Sequence, residues 1–206
     1  MWNTLITAFL MLVLPVCAAA QVVCALGPGI SSYQPSADQR PSGDTMQIAS
    51  RVNMAEKSIC AANCPGVALF RNSTAPNAAL IANAGQAKLV YAPQFFAAVY
   101  ASFGDAGILA IIAHEFGHAL DDSIGAAWIK TSWTPELRAD AWAGCTLAKG
   151  GLSQNDMQAA LAALAKYPPP SHPGWNLRLP AIRSGYTHCD GEISNFDSGT
   201  QGKRPK

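Results

Sequence analysis

The chain has 206 residues, of which 50% are hydrophobic and only 13% are charged, and a chain of this size and composition can bury one core. Its formal net charge is +1, and it has no long basic run. There is thus no electrostatic footprint for nucleic acid and no polybasic patch for an anionic membrane. We expect a single folded domain with neither of these partners.

The first twenty residues are typical of a secretory signal peptide. They carry no charged side chain, are apolar from residue 5 to residue 16, and end in Ala18-Ala19-Ala20, a small-residue cleavage pattern. An apolar run of about 12 residues is short for a bilayer span, which needs about 20. We therefore expect an exported protein, periplasmic or secreted. The weaker alternatives are an uncleaved N-terminal anchor and a lipoprotein modified at Cys17.

Five cysteines follow the predicted cleavage site, in a compartment that permits disulfide bonds. They are Cys24, Cys60, Cys64, Cys145 and Cys189. The pair at 60 and 64 has no matching second pair, so a zinc-finger array is not indicated. We expect one disulfide between Cys145 and Cys189 and a second one among the other three, with one cysteine left over.

The first part of the mature chain combines an irregular segment, a helix and three strands. Residues 21–44 are predicted to form an irregular arm, because the segment is rich in Gly, Pro and Ser and shows no sustained periodicity. Apolar residues at three- and four-residue steps predict a helix over 45–62. Three short apolar runs bounded by turn residues predict strands at 67–70, 78–81 and 87–91.

The second part is predicted to be mostly helical. The segment from about Ala97 to Leu120 contains HEFGH at positions 114–118. A further helix is predicted over 135–149, after the N-cap residue Thr134, and another from Ser153 to the three prolines that begin at position 168. The last residues, 191–206, are polar and are predicted to form a tail.

The motif His-Glu-x-x-His points to metal-assisted hydrolysis. Residues four apart lie on one helix face, so His114 and His118 can both present a ring nitrogen to one zinc ion, with Glu115 beside them. Zinc lowers the pKa of its bound water, and the adjacent carboxylate accepts the proton as that water attacks a carbonyl. A chance match in a chain of this length is expected in fewer than about one sequence in a hundred. The alternative is a core helix with two histidines whose ring nitrogens are hydrogen-bonded within the protein.

A catalytic zinc ion usually takes three protein ligands. Glu136 is the best candidate for the third, because it begins the next predicted helix, which can pack antiparallel to the first. Asp140 lies one turn further along the same face and could hold a ligand imidazole through the N–H of its ring. Asp121 and Asp122 follow His118 too closely to complete a tetrahedron.

HEFGH followed by Glu136-Leu-Arg-Ala-Asp140 resembles the M48-type gluzincin metallopeptidases, whose second motif has the form Glu-x-x-x-Asp. Asn77-Ala78-Ala79, with the apolar run 89–91, is similar to the strand that borders the cleft in that family and pairs with extended substrate. His172-Pro173 and Arg178 are similar to the family's late His-Pro and Arg element, in which the histidine faces the reaction centre. The resemblance covers roughly residues 45–189.

The resemblance implies an α+β, zincin-like domain over residues 45–190, with a small β-sheet packed on the HEFGH helix and a second, ligand-bearing helix. It implies a zinc endopeptidase acting on a protein or peptide substrate, with one Zn2+ per chain. The implied ligands are His114, His118 and Glu136, with Glu115 and His172 as catalytic residues and Asp140 and Arg178 in support. Pro180 is predicted to interrupt the helix that follows the His-Pro element. The alternative function is a zinc-stabilised envelope binding or chaperone-like module without significant turnover.

Overall fold

The computed structural model describes residues 21–25, 32–83, 86–168 and 172–200. The predicted signal peptide, 1–20, lies outside the described residues, as does the end of the predicted tail, 201–206. Within the described ranges the chain forms six α-helices and four β-strands. The predicted α+β class is therefore confirmed.

A four-stranded mixed sheet forms one layer, in the order β1-β3-β4-β2. Its strands are β1 (Gln21–Ala25), β2 (Val67–Arg71), β3 (Ala78–Asn83) and β4 (Gln86–Tyr91). β3 pairs antiparallel with both β1 and β4, whereas β2 pairs parallel with β4. The last three strands in chain order coincide with the predicted apolar runs.

β1 replaces irregular backbone that was expected at the start of the N-terminal arm. Its five residues form a strand by pairing along β3. So short a segment takes its conformation from an available strand edge, which is a tertiary effect that local composition does not reveal. The rest of the described arm has a short 3-10 turn at Pro35–Ala37 and then leads into the first helix.

The helices form the other layer. They are α1 (Gly43–Cys60), α2 (Pro93–Ser123), α3 (Pro135–Lys149), α4 (Gln154–Lys166), α5 (Trp175–His188) and α6 (Ile193–Thr200). Three of them begin at a hydroxyl N-cap that accepts a hydrogen bond from a backbone amide three residues on; the caps are Ser42, Thr134 and Ser153. Such caps satisfy an otherwise unpaired helix N–H and fix where each helix starts.

The predicted interruption at Pro180 is wrong, because α5 runs through it. Proline inside a helix removes one backbone hydrogen bond and costs about 3 kcal/mol. The turn that follows Pro180 buries Ala181, Ile182 and Tyr186 in the core. We attribute the continuity of α5 to this burial, which offsets the missing hydrogen bond.

α2 is the central element of the fold. It contacts α1, α3, α4 and the sheet, and its residues from Ala106 to Leu120 are all buried. The helix is long and apolar enough to cross a membrane, yet 56% of its most apolar window is buried inside the protein, as in a core helix. At Gly104 the backbone leaves the helical region, with φ 61° and ψ −158°, so α2 consists of two helical segments joined at a kink.

The predicted polar tail begins with an ordered helix. α6 places Phe196 fully in the core, beside the ring of Tyr186. Two large apolar side chains, Ile193 and Phe196, in a polar stretch of eight residues give too weak a periodicity to predict a helix. The folded domain therefore extends at least as far as Phe196.

The described residues contain two disulfides, Cys60–Cys64 and Cys145–Cys189. The predicted bridge between Cys145 and Cys189 is confirmed, and the other bridge falls among the three remaining candidates. The first closes the end of α1 onto the following turn, and the second joins α3 to the end of α5. Both indicate an oxidising compartment.

Candidate metal centre

The HEFGH segment lies in the buried half of α2, and α3 packs directly against it. A Cβ atom on Gly117 would lie 2.5 Å from the carbonyl oxygen of Ala139. Glycine at this position therefore lets the α3 backbone approach the turn of α2 that carries His114 and His118. This close approach brings Glu136, in the first turn of α3, to the two histidines.

One oxygen of Glu136 lies near a ring nitrogen of each histidine of the motif. Oε2 of Glu136 lies 3.4 Å from Nε2 of His114 and 3.7 Å from Nε2 of His118. Metal–ligand distances of about 2.0–2.2 Å in a tetrahedral zinc site place the ligand atoms roughly 3.3–3.6 Å apart. The observed separations are close to this range. Two imidazole nitrogens and one carboxylate oxygen are also a donor set that zinc takes.

Nε2 of His118 supports this fit, because it is buried and has no hydrogen-bond partner among the residues that the structure describes. A buried polar atom without a partner costs about 1–3 kcal/mol, so such atoms are few in folded proteins. A bound cation would satisfy this one.

His172 reaches the same cluster from the segment that precedes α5. Its Nε2 lies 2.7 Å from Oε2 of Glu136 and 3.1 Å from Nε2 of His114, and its side chain is fully buried. His114, Glu136 and His172 form a group that could hold a metal ion. However, 2.7 Å is a hydrogen-bond distance and is short for two ligands of one tetrahedral ion. Besides His114 and Glu136, either His118 or His172 can supply the third ligand atom.

Asp140 and Arg178 hold the ring of His114 in place. Oδ1 of Asp140 lies 2.9 Å from Nδ1 of His114, and Arg178 donates from Nε and from a terminal nitrogen to the two carboxylate oxygens, at 2.8 and 2.7 Å. Burial alone would raise the pKa of Asp140, but the hydrogen bonds from Arg178 and His114 hold this pKa below its usual value. An ionised Asp140 keeps the proton on Nδ1 and so directs Nε2 toward Glu136.

The charges of the cluster favour a cation at its centre. Burial on its own would lower the pKa of His114, yet the Asp140 and Glu136 carboxylates raise it to about 9. Burial opposes ionisation of Glu136 too, but the nearby imidazole rings of His114, His118 and His172 hold its pKa far below the usual range. The same negative charge that stabilises protonated His114 would stabilise a divalent cation, which would displace the proton.

Glu115 lies between the histidines and the sheet. It is fully buried, and its Oε2 accepts a hydrogen bond of 2.9 Å from the backbone amide of Leu80 on β3. Its Oε1 has no hydrogen-bond partner in the described part of the chain. Burial raises the pKa of the carboxyl group. One anchored oxygen and one unpartnered oxygen suit a group that takes up and releases a proton.

The structure brings all the predicted site residues together. These are His114, Glu115, His118, Glu136, Asp140, His172 and Arg178. It adds two features that sequence reasoning missed. The first is the amide of Leu80, a backbone donor that leaves no signature in the sequence. The second is the close packing of α3 on Gly117, which the glycine inside HEFGH could have indicated.

Comparisons with protein-family models, with curated proteins and with solved structures found no match. A functional assignment therefore rests on the residues of this cluster and on the chemistry that they can perform.

Proposed function

We propose that the chain is an exported zinc metallopeptidase of the gluzincin type, built on a zincin-like domain, which hydrolyses peptide bonds in proteins or peptides. The observation that carries the proposal is the position of Glu115. Its unpartnered Oε1 is buried beside two histidines whose Nε2 atoms lie 3.4 and 3.7 Å from Oε2 of Glu136, close to the separations expected between ligands of one zinc ion.

In this proposal His114, His118 and Glu136 hold the zinc ion, and Asp140 orients His114. A zinc ion bound there would lower the pKa of a water molecule and polarise the carbonyl group of the scissile peptide. Arg178 keeps Asp140 ionised through its two hydrogen bonds.

Glu115 acts as base and then as acid. Its Oε1 takes the proton of the attacking water while Oε2 stays bonded to the Leu80 amide, so the carboxylate does not rotate away. The raised pKa helps the group to retain the proton until it passes to the leaving amine. We assign to His172, whose Nε2 lies 2.7 Å from Oε2 of Glu136 at the edge of the cluster, the stabilisation of the oxyanion that forms as the carbonyl is attacked.

The test is the substitution Glu115→Gln in the mature chain. Glutamine has the shape of glutamate but cannot accept the proton, so hydrolysis of an unstructured protein should fall at least about 100-fold. Circular dichroism and the zinc content should match those of the parent. The exposed Glu192→Gln variant is the matched control and should cleave at the parental rate.

A chelator should abolish the activity of the parent, and added zinc should restore it. If Glu115→Gln cleaves as fast as the parent, the peptidase proposal is wrong. A zinc-stabilised binding module would instead bind peptides equally well in both variants and show no hydrolysis in the parent.

A further inference from the structure

The strand beside the site has a neighbour on both edges. β4 pairs with one edge of β3, and β1 pairs with the other edge in antiparallel register. β1 also contacts α2, the helix that carries Glu115. Val22 lies opposite Ile81 and Cys24 lies opposite Leu80, with an irregularity in register between them. The irregularity is therefore next to the residue whose amide is donated to Glu115.

This edge of β3 is where an extended substrate would bind. A peptide whose carbonyl is to be attacked beside Glu115 has to run past Leu80, because that residue's amide holds the Glu115 carboxylate. Extended peptides bind a strand edge through main-chain hydrogen bonds, as an added strand. β1 is an added strand of this kind, and it takes up the backbone groups that such a peptide needs.

We propose that β1 is a pseudosubstrate of the chain itself: it covers the peptide-binding edge of β3, and an extended protein segment must displace it to reach Glu115. This inference rests on the proposed peptidase function and adds a way in which access of substrate to the site is regulated. The residues of β1, QVVCA, are uncharged and include two β-branched side chains. The class of substrate that competes best is thus an extended, uncharged segment rich in β-branched residues.

The arrangement makes β1 displaceable. The strand has five residues, and among the described strands it pairs only with β3, because it is the first strand in the sheet order. Short edge strands contribute little to the stability of a sheet. Cleavage after Ala20 would make Gln21 the first residue of the mature chain, so β1 would be tethered at its C-terminal end alone.

The first test breaks the pairing of β1 without touching the site. Val22→Pro/Val23→Pro removes two successive backbone N–H donors, whereas Val22→Thr/Val23→Thr keeps β-branched side chains and is the matched control. Both are made in the full mature chain, in the parental and the Glu115→Gln backgrounds. The probe is a labelled synthetic peptide of residues 21–25 with serine in place of Cys24, and its binding is followed by fluorescence anisotropy.

The proline variant should bind the peptide at least about tenfold more tightly than the parent and the threonine control. With an unstructured protein substrate, its KM should fall by the same factor while kcat stays unchanged, because only a competing ground-state contact is removed. Equal peptide affinity in the three chains would overturn the inference. Circular dichroism and zinc content check that the proline variant is folded.

A second variant tests the opposite direction and does not depend on proline. Gln21 and Ala82 are paired across the two strands. Gln21→Cys with Ala82→Cys, in a Cys24→Ser background, should lock β1 onto β3 by a disulfide. Peptide binding by the locked chain should fall below detection, while the Cys24→Ser chain alone binds like the parent. Peptide affinity unchanged by the lock would overturn the inference.

The two proposals fail separately in these experiments. Tighter peptide binding by the proline variant, with no hydrolysis in any background, would support displacement of β1 and reject the peptidase. Hydrolysis that depends on Glu115, with the same peptide affinity in every variant, would support the peptidase and reject the role of β1.

Discussion

The carboxylate of Asp140 joins the ring of His114 to the guanidinium of Arg178. It is fully buried between His114 and Arg178, and Arg178 also donates to the carbonyl oxygen of Leu164 at 3.0 Å. The four-residue spacing from Glu136 predicted that Asp140 would face the metal site, since such residues share a helix face. Spacing could not predict that Arg178 reaches Asp140 from another helix; only the family resemblance suggested its role.

The identity of the third ligand can be decided by two histidine variants. His118→Ala should weaken zinc affinity by more than roughly 100-fold, because a ligand with an unpartnered buried nitrogen is lost. His172→Ala should weaken it by no more than about tenfold, because this residue lies at hydrogen-bond distance from Glu136. Zinc affinity is measured by competition with a chromogenic chelator at fixed pH.

The control is His188→Ala, a residue that stacks on Trp128 outside the cluster and should leave zinc affinity unchanged. The reverse ranking of the first two variants would place His172 in the coordination sphere and remove His118 from it.

Two glycines allow the backbones of α3 and α5 to approach each other closely. A Cβ on Gly144 would lie 1.9 Å from the carbonyl oxygen of Ile182, and one on Gly185 would lie 1.7 Å from that of Ala141. The contact sets the position of α5 and therefore that of Arg178. The N-cap Thr134 and the predicted end at Lys149 gave the bounds of α3, whereas the predicted break at Pro180 in α5 was wrong. The approach itself was not predictable, because a glycine inside a helix shows its packing role only when the partner helix is known.

Gly185→Ala should lower the free energy of unfolding by about 2–3 kcal/mol or more, because the added methyl group would force the α3 and α5 backbones apart. Gly43→Ala is the matched control. It lies in the first turn of α1 with no atom within 4 Å of a new Cβ, and its stability should be unchanged or rise by roughly 0.5 kcal/mol. Urea unfolding with the disulfides intact measures both. Equal stability of the two variants would contradict the close contact.

A buried carboxyl group outside the site should make the free energy of unfolding of the whole protein depend on pH. Glu56 on α1 is 2% exposed, and its Oε1 has no hydrogen-bond partner within the described ranges. Burial raises its pKa from 4.5 to about 8. The folded state therefore keeps a proton that the unfolded state releases at lower pH. This contribution to stability is full below pH 4.5 and is lost as the pH rises through 8.

Replacing Glu56 by glutamine should remove this dependence. Between pH 5 and pH 8 the stability of the parent should fall relative to that of Glu56→Gln, by at most about 1.4 kcal/mol per pH unit. The difference between the two chains, measured by urea unfolding at each pH, cancels the titration of the metal site, which both share. A difference that stays constant over this range would show that Glu56 is ionised in the folded protein.

The class of the fold and the order of its main elements were predictable, because periodicity and turn residues are local properties. The two ends of the domain were not. β1 depends on the edge of β3, and α6 depends on the pocket that takes Phe196, so neither can be recognised from its own residues.

The wide spacing of the site residues along the chain also decides when the site can form during biosynthesis. Its groups come from β3, α2, α3 and α5, and Asp140 receives two hydrogen bonds from Arg178 on α5. The Cys145–Cys189 bridge closes later still, once the end of α5 has emerged. A nascent chain, or one cut before α5, therefore carries HEFGH without the partners that orient it. The complete cluster is therefore assembled only once the last helices of the domain are present.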